Sequence, residues 1–182
     1  MILCWARQVP SPNCSDRQGR EVDTVVLHHI SLPPGEFGGG HVEALFCNRL
    51  DPAGHPYFAE ICGLCVSAHF LIERDGAVTQ FVDTEAKAWH AGDSELEGEA
   101  DVNRRSVGIE LEGDEEAEYT DPQYAALNRL LAELRAAHPA ITGRRIVGHE
   151  HVAPGRKRDP GPRFDWSRIS APSEKPRPNR SV

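Results

Sequence analysis

Residues 148–166 read GHEHVAPGRKRDPGPRFDW, an unusual concentration of groups able to do chemistry. His149 and His151 stand two apart. Arg156, Lys157 and Arg158 run directly into Asp159, and Pro154, Pro160 and Pro162 restrict the backbone around them. Imidazole and carboxylate are metal ligands. A protonated ammonium beside them cannot ligate, but it can stabilise an oxyanion. Histidine is abundant, nine in 182 residues. His28 and His29 close the run TVVLHHI; neighbours on a strand point to opposite faces, so at most one of them readily serves a shared site. A catalytic metal needs three protein ligands and one position open to water. Spacing alone does not choose them. Neither HxxxH nor HExxH occurs, and surface or hydrogen-bonded histidines would fit the same pattern.

Two further stretches carry candidates. In GIELEG, Glu110 and Glu112 lie two apart and share a strand face. Such a pair must meet solvent, a cation or a cleft. In AWHAG (88–92), Trp89 and His90 precede a glycine. Trp89 suits a ligand pocket or the core equally well.

The elements that must position these groups follow an α/β order. TVVLHHI (24–30) is an apolar, β-branched strand, and SLPPGEFGGG (31–40) is a loop by composition. HVEALFCNRL (41–50) has a helical pattern. AHFLIERDGAVTQFV (68–82) reads as a hairpin around Asp75-Gly76. SVGIELEG (106–113) alternates as a strand. DPQYAALNRLLAELRAAHP (121–139) is the clearest helix, with Asp121 expected as its cap, Pro122 in its first turn and Leu127, Leu130, Leu131 and Leu134 as its apolar stripe. The expected architecture is a single α/β domain over residues 1–170, a mixed central sheet flanked by helices. A proline-rich tail at 171–182 is expected to be disordered.

Composition narrows the function. Apolar content of 39% and charged content of 26% fit a soluble globule. A net charge of −8 argues against nucleic acid as the main partner, although it leaves room for a small basic pocket. MILCWARQVP has no basic region ahead of its apolar stretch, and no run approaches the ~20 residues of a membrane span, so neither a leader nor a membrane partner is expected. Five cysteines, an odd number, point to reduced thiols and a cytoplasmic home. Cys62 and Cys65 form a lone CxxC without the two further soft ligands of a structural zinc site. They read as ordinary small apolar residues, not as a thiol oxidoreductase. Nothing in the pattern calls for a dimer, so a monomer is expected.

Seven blocks carry a resemblance. VVLHHISLPPGEFGG, LDPAGHPYFAEI, VSAHFLIERDGAVTQFV, AWHAG, SVGIELEG, YTDPQY and GHEHVAPGRKRDPGPRFDW occur in that order between Pro10 and Arg168. In these the chain resembles the zinc-dependent type-2 N-acetylmuramoyl-L-alanine amidases, whose superfamily includes peptidoglycan recognition proteins and phage lysozyme-amidases. It is most similar to the branch that acts on 1,6-anhydro-muropeptides in cytoplasmic cell-wall recycling. The resemblance implies Zn2+ in a surface groove, held by His28, His149 and Asp159. It implies Glu110 as general base and Lys157 as oxyanion stabiliser. The implied substrate is a muropeptide, cut between the lactyl group and L-alanine. His29, Trp89, His90, Arg104, Arg156 and Arg158 are candidates for binding it. His29 is a departure, because relatives often carry asparagine there. Two rival readings are an exported amidase trimming intact wall and a recognition module without catalysis. The second would lack a ligand or the catalytic acid, and here all five positions hold competent residues.

Overall fold

The computed structural model describes residues 1–169; the tail expected to be disordered lies outside the described residues. The strands in chain order are β1 (Arg7–Gln8), β2 (Cys14–Asp16), β3 (Thr24–Ile30), β4 (Phe70–Ile72), β5 (Val78–Gln80), β6 (Ala86–Ala88), β7 (Glu95–Leu96), β8 (Glu99–Ala100), β9 (Ser106–Glu112) and β10 (Ile146–Gly148). The helices are α1 (His41–Phe46), α2 (Pro56–Ile61), α3 (Asp121–Ala137) and α4 (His149–Val152). Six strands form the central sheet in the order β1-β5-β4-β9-β3-β10. Only β4 and β5 pair antiparallel within it; β4, β9, β3 and β10 run parallel. The sheet is mixed, as the sequence suggests.

Side-chain alternation divides the core. From β3 and β9, Val25, Leu27, Val107, Ile109 and Leu111 pack with Leu127, Leu130, Leu131 and Leu134 of α3. The expected leucine stripe is therefore the one that covers this face. The opposite face carries a second cluster built around Leu45, Phe46, Phe58 and Leu71 under α1 and α2. A smaller cluster joins Val26, Ala91, Val102 and Val152. Buried on both faces, β3 and β9 need continuous apolar runs broken only where a site demands it.

Three local expectations are corrected. The cap of α3 is Thr120, not Asp121. The Thr120 hydroxyl accepts from the Gln123 amide at 3.2 Å, and the Gln123 side chain accepts from the Thr120 amide at 3.1 Å. This capping box satisfies two amides at once, leaving Asp121 in the first turn, where it pairs with Arg168 at 2.7 Å. The helix starting at His41 ends at Phe46, not at residue 50. Asn48 adopts φ 55°, a left-handed turn that asparagine tolerates and a continuing helix does not. The cysteines of CGLC behave only in part as small apolar residues: Cys62 is half-buried against the second cluster, Cys65 is exposed, and both are free thiols. No helix among the described residues is long and apolar enough to cross a membrane.

Thr120→Ala should lower unfolding stability by about 1 kcal/mol, whereas Asp121→Ala should cost less. Urea titration of the two variants tests which residue caps α3, and equal losses would contradict the assignment.

Candidate metal centre and its groove

Strand register brings the first groups together. His28 and Glu110 are partners on the parallel pair β3–β9, and residues opposed across neighbouring strands project from the same face. Leu27 and Ile109 face α3, so His28 and Glu110 face the other way. On the far side of β3, Gly148 of β10 pairs with Leu27. His149 follows immediately and opens α4 beside His28. These residues sit at the carboxyl ends of parallel strands, a place where neighbouring loops leave a crevice.

Asp159 arrives on a return loop. The Glu150 amide donates to the Asp159 carbonyl at 3.0 Å. The Tyr119 hydroxyl donates to the Pro160 carbonyl at 2.8 Å. A Cβ on Gly148 would lie 2.7 Å from Cδ of Pro160, so only glycine lets the loop dock this closely. Three ligating atoms then converge. His28 Nδ1 is 2.9 Å from His149 Nδ1, and Asp159 Oδ2 is 3.0 Å from each. All three residues are buried.

The donor set fits a divalent cation. His149 Nε2 lies 3.0 Å from the carbonyl of Ala91. A carbonyl only accepts, so Nε2 carries the proton and Nδ1 presents a lone pair. His28 Nε2 is also engaged, 3.0 Å from His90 Nδ1. Lone pairs meeting an ionised carboxylate in a buried place repel unless a cation lies among them. Bonds of about 2.0–2.2 Å to a tetrahedral ion require donors about 3.3 Å apart, close to the triangle described. Two imidazoles and one carboxylate are donors that a borderline-soft divalent ion accepts.

Burial sets the ionisation of these groups. It pushes the imidazole of His28 down to about 4, against the pull of Asp159. It would raise Asp159 as well, but contact with His149 and His28 outweighs it and holds that carboxyl well below its usual range. Glu110 is raised well above the ordinary carboxylate range, by burial first and then by Asp159, with Lys157 opposing. Its Oε2 is buried without a partner among the described residues.

A groove of about 380 Å³ opens over these groups. His28, Glu110, His149, Lys157 and Asp159 line one end, and Leu45, Tyr57, Ile61, Leu64, Val66 and Trp89 line the rest. The loop at 31–40 contributes Ser31, Leu32 and Pro34. It is therefore a wall of the groove.

The other candidates are placed as follows. His28, not His29, turns toward His149 and Asp159. His29 is half-buried and borders both the groove and an adjoining recess; its Nε2 is buried without a partner among the described residues. Lys157 is exposed, with its side chain lining the groove. Trp89 also lines it, while its indole nitrogen donates to Ser15 Oγ at 3.1 Å. His90 borders the groove, but both its ring nitrogens meet protein atoms. The Arg156 guanidinium donates to the carbonyls of Ala91 and Asp93, so it ties its loop down. Arg158 lines the recess, 3.8 Å from Glu115. Arg104 is elsewhere, in a separate depression with Arg20, Glu99 and Arg105. His151 is exposed, its Nδ1 accepting from the Gly148 amide. Glu112 shares the face of Glu110 but accepts from the amides of Gly38 and Arg74; it fastens the 31–40 loop to the sheet. The apolar wall from α2 is not evident in the sequence. His55-Pro56, a cap residue before proline, is the one signal there for it.

Comparison with known proteins places this geometry. The family model described as N-acetylmuramoyl-L-alanine amidase matches residues 18–162. The 1,6-anhydro-N-acetylmuramyl-L-alanine amidase AmpD of Salmonella typhimurium (strain SL1344) is 50% identical over 170 residues, covering 93% of this chain and 90% of that one. A crystal structure of a selenomethionine derivative of AmpD superposes with a TM-score of 0.90 at 48% identity, covering 92% of this chain and 94% of the other. The Escherichia coli amidase AmiD, solved with the substrate anhydro-N-acetylmuramic acid-L-Ala-D-gamma-Glu-L-Lys, aligns at 25% identity and a TM-score of 0.59, over 87% of this chain and 58% of that longer one. With four-fifths of its length matched to the family model and half of its residues shared with an AmpD over nearly the whole chain, this protein belongs to the N-acetylmuramoyl-L-alanine amidase family.

Proposed function

We propose that the chain hydrolyses the amide between the lactyl group of a 1,6-anhydro-N-acetylmuramic acid and the L-alanine of its stem peptide, as a zinc enzyme of cytoplasmic cell-wall recycling. One observation carries this reading: a buried His28–His149–Asp159 triangle with the Glu110 carboxyl on the same sheet face and the Lys157 ammonium at the same end of one groove. The name of AmpD and the substrate in the AmiD complex support the choice of amide. Five free thiols suit a reducing compartment. Every group invoked comes from one chain, so a monomer suffices.

Zinc held by His28, His149 and Asp159 would supply Lewis acidity toward water and the amide carbonyl. Glu110 performs the proton transfers. Burial has already raised its pKa toward the range where a carboxyl can both take and return a proton. It removes a proton from the attacking water and delivers one to the departing nitrogen. Lys157 places positive charge where the carbonyl oxygen becomes anionic, an interaction that strengthens only as the reaction proceeds. The apolar wall from Tyr57 to Trp89 offers a surface for the sugar, and the aromatic faces suit its C–H groups. The recess beside His29 and Arg158 offers positive charge to the carboxylates of the stem peptide.

Three outcomes are expected. A strong chelator should abolish cleavage of soluble anhydro-muropeptide, and added zinc should restore it; full activity in a metal-stripped preparation would refute the metal's role. Metal analysis should show zinc lost from His28→Ala and Asp159→Ala but kept by His29→Ala. Glu110→Gln should reduce kcat by about 10²–10⁴-fold with zinc retained, and Lys157→Ala by about 10²–10³-fold. Activity on intact wall exceeding activity on soluble muropeptide would move the assignment to an exported amidase. Retention of ligand without cleavage would move it to a recognition module.

A further inference from the structure

The sequence offers His90 as a substrate contact; in the folded chain both of its ring nitrogens already meet protein atoms. His90 Nε2 lies 3.2 Å from Ser106 Oγ, and His90 Nδ1 lies 3.0 Å from His28 Nε2. Ser106, at the far end, sets the direction of these bonds. Ser106 Oγ donates its single proton to the Val102 carbonyl at 2.8 Å. Toward His90 it can then only accept, so the proton of the neutral His90 ring resides on Nε2. His90 Nδ1 is left as a bare acceptor, and the hydrogen between the two rings must come from His28 Nε2. The remaining nitrogen of His28, Nδ1, is thereby stripped of its proton on the side that meets His149 and Asp159.

We infer that His90 is a positioning residue: through the chain Val102–Ser106–His90 it fixes the tautomer and orientation of His28, so that the Nδ1 lone pair is presented to the metal. Packing holds His90 in place. A Cβ on Gly108 would fall 2.4 Å from the His90 ring, so the imidazole lies directly on the bare backbone of β9. The Asn103 side-chain oxygen accepts from the amides of His90 and Ala91, at 3.2 and 2.9 Å. The Ala91 carbonyl in turn faces His149 Nε2 at 3.0 Å. One two-residue segment, clamped by Asn103, thus backs both histidines of the triangle. A backing group of this kind orients a ligand and raises its basicity.

The inference rests on the metal reading above, and its test separates the two. Zinc affinity is measured by competition with a chromophoric chelator for the wild type, His90→Phe and His90→Asn. Phenylalanine keeps a ring but removes the acceptor, and affinity should fall about 10–100-fold. Asparagine offers an amide oxygen near the position of Nδ1 and should recover most of the loss. Long-range proton–nitrogen spectra of the wild-type imidazoles, recorded with and without zinc, should show His28 protonated on Nε2 in both states. This second measurement needs no variant, so it stands if His90→Phe fails to fold. A His28 proton on Nδ1 would overturn the inference. So would undiminished zinc affinity in His90→Phe with only KM raised, the mark of a substrate contact. A wild type that takes up no zinc would refute the proposed function instead, while the metal-free spectrum would still decide the tautomer.

Discussion

The parallel pairing of β3 with β9 is the constraint from which the site follows. Seven consecutive partners, from Thr24↔Ser106 to Ile30↔Glu112, lock the two strands in one register. A slip of a single residue would turn Glu110 to the α3 face and set it among leucines. The register is held by what lies beneath. Val25, Leu27, Val107, Ile109 and Leu111 are essentially inaccessible to solvent and interlock with the leucine stripe of α3. The core thus selects which side of each strand packs against α3, and the chemistry occupies the opposite side.

That arrangement places ionisable groups where a folded chain would ordinarily avoid them. His28, Glu110, His149 and Asp159 are all buried, where polar side chains left without partners are costly. The chain compensates locally. Ala91 and His90 engage the back of the two imidazoles, and docking of the 155–164 loop through Glu150, Tyr119 and Gly148 sets Asp159 against them. What it does not compensate is the convergence of lone pairs at the centre, a residual repulsion that a cation held there would relieve.

Apolar periodicity makes the large elements legible in the sequence. The strands at 24–30 and 106–112, the hairpin around Asp75-Gly76 and the helix with its leucine stripe each depend on alternation or on 3.6-residue spacing, which are local properties. Boundaries are less legible. Thr120 and Asp121 are both good caps by type, and the choice goes to Thr120 because Gln123 stands three residues on to close the box. The end of α1 turns on a left-handed Asn48, which no periodicity announces. Arg104 and Arg156 look alike as basic residues near the site, yet one lies in a different depression and the other is bound to backbone carbonyls.

The sequence by itself determined the chemistry available: histidines, an aspartate and a lysine in motifs resembling one amidase family, and apolar patterns sufficient for an α/β sheet. It could not choose between His28 and His29 on physical grounds, because adjacent residues of the same type differ only in the face to which the pleat turns them. Nor could it show that His90 Nδ1 lies against Nε2 of the His28 ring. Those distinctions belong to tertiary structure, since they depend on contacts between residues 62 to 131 positions apart. Only the packed sheet brings such distant groups to hydrogen-bonding distance.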